Sequence, residues 1–215
     1  MTFQLVIGDK NWSSWSLRPW IILKQAGIPF EEICLRLRQP DTAARIAQYS
    51  PSGKIPVLLA DEGMIWDSLA IAEYAAECYP EKKLWPEDRY VRAVARAVAA
   101  EMHAGFPHLR NEMTMVCTET IQTPPVSEAT LGEIARIQEI WQDCRRNFGQ
   151  EGDFLFGHFS VADAMYAPVV TRFMTYGVKL DEISWRYCKA VMALGAMQEW
   201  IAGARAEEKL KAAQG

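Results

Sequence analysis

Asn11-Trp12-Ser13-Ser14-Trp15-Ser16-Leu17-Arg18-Pro19-Trp20 is the stretch on which the reading of this chain turns. It follows Phe3 to Gly8, a short apolar run ending in Gly-Asp, which reads as a buried strand running into a turn. It leads into Leu17 to Ala26, whose apolar positions read as a helix closed by Gly27 and then Pro29. Proline is tolerated in a helix within the first turn, where its missing N–H has no partner to lose. Pro19 therefore predicts a helix start at about Ser16 to Arg18. Ser16 is then the N-cap, and Ser13 and Ser14 lie just upstream in the loop. Free amides and the positive end of the helix dipole converge there, a place suited to an anion such as a thiolate. A serine before a helix is most often a cap, so this stretch alone does not decide between the two roles.

Outward from it, strand and helix alternate. Phe30 to Leu37 reads as a second strand and Asp41 to Gln48 as a short helix before the turn Ser50-Pro51-Ser52-Gly53. Val57 to Ala60 and Met64 to Trp66, separated by Asp61-Glu62-Gly63, form a hairpin. Ser68 to Cys78 is helical. The order βαβαββα gives an α/β layer with a mixed sheet, because so tight a hairpin pairs its strands antiparallel. Tyr79 to Pro86 is polar, bracketed by prolines, and reads as a linker. Beyond it Val91, Val94, Ala95, Val98 and Met102, then Ile134, Ile137, Ile140 and Trp141, recur at helical spacing, with Pro124-Pro125 breaking the run between them. Ser160-Val161-Ala162-Asp163 has the spacing of a capping box that opens another helix. The divisions expected are residues 1–79, a linker over 80–88, and an all-α domain over 89–215.

Half of the 215 residues are apolar and the net charge is -4, so a basic face for nucleic acid is not expected. No apolar run approaches a membrane span, and Met1 to Gly8 is too short and uncharged for a signal peptide. Five scattered cysteines without a Cys-x-x-Cys pair suit a reducing compartment, and the three histidines lack metal-ligand spacing. The expectation is a cytoplasmic, metal-free protein.

Two further segments carry chemistry. Ile55-Pro56 leads into the third strand; an X–Pro bond is trans by default, although a proline at such a place often marks a special backbone geometry. Asp67 and Ser68 open the third helix, suited either to capping it or to holding the charged head of a small zwitterion. Taken together, Ser14…Arg18, Gly53-Lys54-Ile55-Pro56-Val57-Leu58, Asp67-Ser68-x-Ala70-Ile71 and Ser160-x-x-Asp163 resemble the glutathione transferase superfamily across nearly the whole chain. Ser13-Ser14-Trp15-Ser16 looks most like the Ser-Ser-Cys-Ser motif of the zeta class, with Trp15 in place of the cysteine. Asp67 stands where most classes carry Glu.

The resemblance implies a thioredoxin-like first domain, an all-helical second domain, and glutathione as co-substrate. Ser14, with Ser13 as the alternative, would donate a hydrogen bond to the glutathione sulfur. Lys54 would meet the glycyl carboxylate, the Ile55 backbone before a cis Pro56 the cysteinyl unit, and Asp67 with Ser68 the γ-glutamyl end. Glu101 would reach a neighbour's glutathione across a homodimer. A small hydrophobic electrophile would lie between Trp12 and a long helix carrying His103, Phe106, Arg110 and Met113, bent open at Gly105 and Pro107. The activity implied is conjugation. A glutathione-dependent isomerase or peroxidase, or a non-catalytic binding protein on the same fold, are the alternatives.

Overall fold

The computed structural model describes residues 3–122 and 125–213. Strand β1 (Phe3–Gly8), helix α1 (Ser14–Gln25), β2 (Phe30–Leu35), α2 (Thr42–Ala47), β3 (Val57–Ala60), β4 (Gly63–Trp66) and α3 (Ser68–Cys78) form the first layer. Helices α4 (Arg89–Ala104), α5 (Pro107–Glu112), α6 (Glu128–Phe148), α7 (Val161–Thr175), α8 (Glu182–Ala193) and α9 (Gly195–Ala212) follow. The sheet runs β2-β1-β3-β4, with β1 parallel to β2 and the other two pairings antiparallel. This is the mixed sheet that the order of elements implies, because the β1–β2 crossover through α1 forces parallel pairing. Phe3, Leu5 and Ile7 point from β1 into one large core shared with α1, α3 and the helical half, whereas Val6 points to a smaller core with Leu35, Ile46 and Val57. Alternation along one strand thus feeds both faces of the sheet.

Helix α1 is the hub. Leu17 and every residue from Arg18 to Leu23 are buried, between the sheet, α3, α7 and α9. Its start differs from the expectation: the helix begins at Ser14, Ser13 is the N-cap, and Ser16 lies inside the first turn. Pro19 is then an interior residue, which leaves the Trp15 carbonyl without its usual intrahelical donor. Burial of nearly the whole helix outweighs this local loss. Ser16 Oγ accepts the Gly8 N–H at 3.1 Å and the Ser13 hydroxyl at 2.7 Å, so the N-cap and the end of β1 are joined through one buried oxygen.

Strand β2 stops at Leu35, two residues short of expectation, and β4 begins one residue early at Gly63. The segment read as a linker is docked: Leu84 and Trp85 are buried, and the Val161 N–H donates to the Leu84 carbonyl at 2.9 Å. Its polar neighbours face water while these two anchor it, a mixture that composition averaged away. The long helix expected to bend at Gly105 is instead broken there. Helix α4 ends at Ala104, Phe106 takes a left-handed φ of 58°, and α5 restarts at Pro107 in the position where proline is favoured. Of the Pro124-Pro125 break, Pro124 lies outside the described residues. All five cysteines are free. No helix among the described residues is long and apolar enough to cross a membrane.

The helical half is organised around α7, all but one of whose residues are buried. Asp163 is fully buried there and forms the expected box: Oδ2 accepts the Ser160 N–H at 2.8 Å and the Ser160 hydroxyl at 2.9 Å, and Oδ1 accepts the Leu155 N–H at 3.0 Å. Replacing Asp163 by Ala strands two backbone donors in a dry core, and urea unfolding should report a loss of roughly 2–4 kcal/mol. Burial outweighs the donated hydrogen bonds and pushes the Asp163 pKa up to about 6. A folded pKa above the unfolded one means that this carboxyl favours folding most below about pH 4. The stability of the native chain relative to Asp163→Asn should therefore fall as pH rises through about 6.

Candidate functional site

Two clefts meet at the N-terminus of α1. The first, about 670 Å³, is lined by Trp15, Ile46, Ser52, Gly53, Lys54, Ile55, Pro56, Trp66, Asp67, Ser68 and His103. The second, about 410 Å³, is lined by Trp12, Ser14, Trp15, Arg38, Arg110, Asn111, Thr114, Met115, Val116 and Arg172. The Trp15 indole belongs to both walls. Ser14 follows it into the second cleft from the first turn of α1, where unpaired amides and the dipole concentrate positive potential.

The two candidate hydroxyls differ in what they already do. Ser13 Oγ donates to Ser16 Oγ, whereas Ser14 Oγ makes no hydrogen bond to any described residue. Only Ser14 has a hydroxyl proton free for something else, and only Ser14 faces a cleft.

In the first cleft the Ile55–Pro56 bond is cis and Gly53 sits at φ 67°. Asp67 is the N-cap of α3: Oδ1 accepts the Leu69 N–H at 2.8 Å and the Ala70 N–H at 3.3 Å. Its φ of 77° is a conformation that costs a non-glycine residue about 1–3 kcal/mol, and such positions cluster where ligands are clamped. Its second oxygen, Oδ2, faces His103 Nε2 at 3.1 Å. Capping therefore uses one carboxylate oxygen, and the other meets His103 at the cleft wall. Ser68, next in sequence, is 1% exposed and its Oγ has no partner. Buried hydroxyls are nearly always paired, so an orphan lining a cleft points to a ligand.

His103 packs edge-on against Trp15 at 5.2 Å, and its buried Nδ1 is likewise unpartnered. Burial lowers the His103 pKa, with Arg18 and Arg110 acting in the same direction and Asp67 opposing. Arg18 is fully buried, its three guanidinium nitrogens bond to nothing, and it lies 4.1 Å from the Trp15 ring centre. Desolvation first, then Arg172 and Arg110, push its pKa down to about 9. The floor between the clefts is thus short of carboxylate, with Asp67 as the counter-charge.

Ser14, Lys54, Ile55, Pro56, Asp67 and Ser68 all come to this place from three separate segments. The residues expected around an electrophile divide. Trp12 and Arg110 line the second cleft; His103 faces the first; Phe106 and Met113 are core residues. The break between α4 and α5 turns Phe106 inward, and the Met113 carbonyl is taken by Arg172 Nε at 2.7 Å. Glu101 lines neither cleft, because Arg136 grips both its oxygens at 2.8 and 3.1 Å. Trp15, Arg18, Arg38 and Arg172 had no role assigned from the sequence. For Arg18 and Arg172 the signal is a lone cation within an apolar helical run, plain once burial of α1 and α7 is assumed.

The sequence pattern described as "Glutathione S-transferase, N-terminal domain" matches residues 12–78, and that of the corresponding C-terminal domain matches residues 92–203. The chain belongs to the glutathione S-transferase family. Among its relatives, a probable maleylacetoacetate isomerase of Caenorhabditis elegans is 32% identical over 46% of this chain and 45% of that protein. The maleylacetoacetate isomerase of Rattus norvegicus is 27% identical over 86% of this chain and 85% of that one. Glutathione S-transferase omega-1 of Mus musculus is 33% identical over 63% and 55%. The chain thus spans about half the length of several curated relatives it matches. A glutathione transferase homolog from Burkholderia, solved with bound glutathione, shares the fold, with a TM-score of 0.71, 24% identity, and coverage of 95% and 99%.

The cleft electrostatics of this family member can be checked directly. Asp67→Asn removes the one charge that raises the His103 pKa, so the His103 ring should titrate at lower pH in the variant than in the native chain. Proton NMR of the three histidines reads this, and an unmoved or raised His103 pKa contradicts the arrangement.

Proposed function

We propose that this chain binds glutathione in the first cleft and uses Ser14 to hold the glutathione sulfur as a thiolate, which attacks a small electrophile in the second. The observation that carries the reading is that the Ser68 hydroxyl is buried without a partner at the wall of one cleft, while Ser14, which makes no side-chain hydrogen bond among the described residues, lines the adjoining one. Family membership supports glutathione as the ligand.

In this reading the γ-glutamyl ammonium meets Asp67 Oδ2 and its carboxylate the Ser68 hydroxyl and the amides at the start of α3. The extended cysteinyl backbone pairs with Ile55, and Lys54 meets the glycyl carboxylate. The sulfur then passes Trp15 toward Ser14. A free thiol has a pKa of about 8.5, and the thiolate is the nucleophile. Ser14 donates its hydroxyl hydrogen to the sulfur, and the helix dipole adds to the stabilisation. The thiolate forms a bond to the electrophilic carbon, and the leaving group departs with its electron pair. Ser13 serves Ser16 instead and fixes the turn. Family resemblance further supports a cytoplasmic homodimer.

Ser68 gives a discriminating test. Its hydroxyl bonds to nothing in the free protein, so Ser68→Ala should leave thermal stability unchanged or slightly raised. Loss of a hydrogen bond to a charged group should weaken glutathione by roughly tenfold in calorimetric titration. Lys54→Ala should weaken it less, because Lys54 is exposed. Native affinity in both variants would remove the first cleft from glutathione binding. In the same assay series Ser14→Ala should lower kcat/KM for conjugation by on the order of a hundredfold, as removal of one donor to a developing or held anion does elsewhere.

A further inference from the structure

The second cleft carries a charge pattern that an apolar electrophile does not need. Its wall holds Arg38, Arg110 and Arg172, with Asn111 and Thr114 beside them, and no carboxylate. Elsewhere Arg96, Arg136 and Arg186 each pair with a glutamate, whereas these three form no ion pair among the described residues. Arg172 is 3% exposed, and the partners of its Nε and Nη1 are neutral, the Met113 carbonyl at 2.7 Å and the Pro168 carbonyl at 3.1 Å. Among the described residues the hydrogen-bond partners of Arg110 are the neutral Met102 and His103 carbonyls, both at 3.5 Å, and its guanidinium lies 5.5 Å from the Trp15 ring centre. Arg38 stands over the Trp12 ring at 4.7 Å. Glu133 acts on Arg110 at a distance, but its oxygens are occupied by the His108 and Leu109 amides at 3.2 and 2.7 Å.

A buried guanidinium without a counter-ion is costly, and two of them near one another more so. Burial, then Arg110, push the Arg172 pKa down to about 10. No carboxylate on the cleft wall offsets this, whereas a bound anion would. The guanidinium fork fits a carboxylate through two parallel hydrogen bonds, and the Trp12 and Trp15 rings in the same wall suit a flat body.

We propose that the cleft beside Ser14 is a site for a carboxylate-bearing electrophile, whose carboxylate is held by Arg110 and Arg172 with Arg38 at the mouth. The reaction assigned to this ligand rests on the glutathione reading above; the anion binding itself does not. With the carboxylate so held, the apolar body lies along the tryptophans and the reactive carbon is left toward Ser14. For an aryl chloride, sulfur forms the new C–S bond and chloride leaves with the C–Cl electron pair.

The test has two arms. In the first, without glutathione, nitrobenzoate and nitrobenzamide are titrated against the native protein by quenching of tryptophan fluorescence. The acid should bind at least about tenfold tighter than the amide, with the gap shrinking as salt is raised. Arg110→Gln and Arg38→Gln should reduce the acid-to-amide ratio toward unity, Arg110→Gln more strongly, while Arg136→Gln keeps it. Arg172→Gln is measured as well, with circular dichroism to verify folding, but the half-buried Arg110 decides the matter if that variant fails to fold. Equal affinities for acid and amide, or a ratio that Arg110→Gln leaves intact, would overturn the proposal. In the second arm, with glutathione, chloronitrobenzoate should be conjugated with a higher kcat/KM than chloronitrobenzamide, and Arg110→Gln should erase the preference. Failure to bind glutathione sinks the conjugation reading alone. Normal conjugation without acid preference sinks the anion site alone.

Discussion

The site depends on one buried oxygen. Ser16 Oγ takes a hydrogen from the last residue of β1 and another from the N-cap of α1, and so fixes how the helix leaves the sheet. Because Ser13 is consumed in that link, Ser14 is the hydroxyl left over, and it emerges at the wall of a cleft. The remainder of α1 is held by burial: Trp20 packs on Trp200 of α9 at 5.1 Å and its Nε1 donates to Glu32 of β2 at 2.7 Å. Helix α9 is fastened in turn to the loop ahead of Ser14, through Lys211 on Asp9 at 2.7 Å and the Trp200 Nε1 on the Lys10 carbonyl at 2.9 Å. The end of the chain therefore braces the loop that presents the serine.

Around that fixed point, polar groups are left without partners. Ser68 Oγ, His103 Nδ1 and all three nitrogens of Arg18 are orphans, and Asp67 holds a left-handed backbone. Each of these lowers the stability of the free protein; Trp141 Nε1 and Tyr187 Oη in the helical core are unpartnered too, but Ser68, His103 and Asp67 line one cleft and Arg18 lies against its Trp15 wall. Under the proposed function, a zwitterionic ligand in the first cleft would supply partners to the groups that line it.

Much of this was legible in the sequence, for identifiable reasons. The bounds of α3 follow from Asp67-Ser68 and the small residues behind them, and the Asp163 box from a spacing of three, because both are local hydrogen-bonding patterns. The first-cleft residues were legible as a set because the turn and helix ends that carry them have local signatures. The start of α1 was misread because the proline rule is local, while the force that tolerates Pro19 inside the helix is burial against α7 and α9. His103 faces the first cleft and Phe106 the core, not the wall expected of them, because their facing depends on the break at Gly105, which Gly105 and Pro107 alone read as a bend. The arginine wall was invisible for a related reason: Arg38, Arg110 and Arg172 come from three distant segments, and only the fold reveals that no carboxylate comes with them.

The central claim is that Ser14 and the start of α1 ionise a bound thiol. Titrating the ultraviolet absorbance of glutathione's thiolate in the complex tests it most directly. The expected bound pKa lies about two units below the free value of about 8.5, equivalent to roughly 2.7 kcal/mol, with most of the shift lost in Ser14→Ala and kept in Ser13→Ala once folding is verified. A bound thiol that ionises no more readily than free glutathione, or a full shift that survives Ser14→Ala, would contradict it.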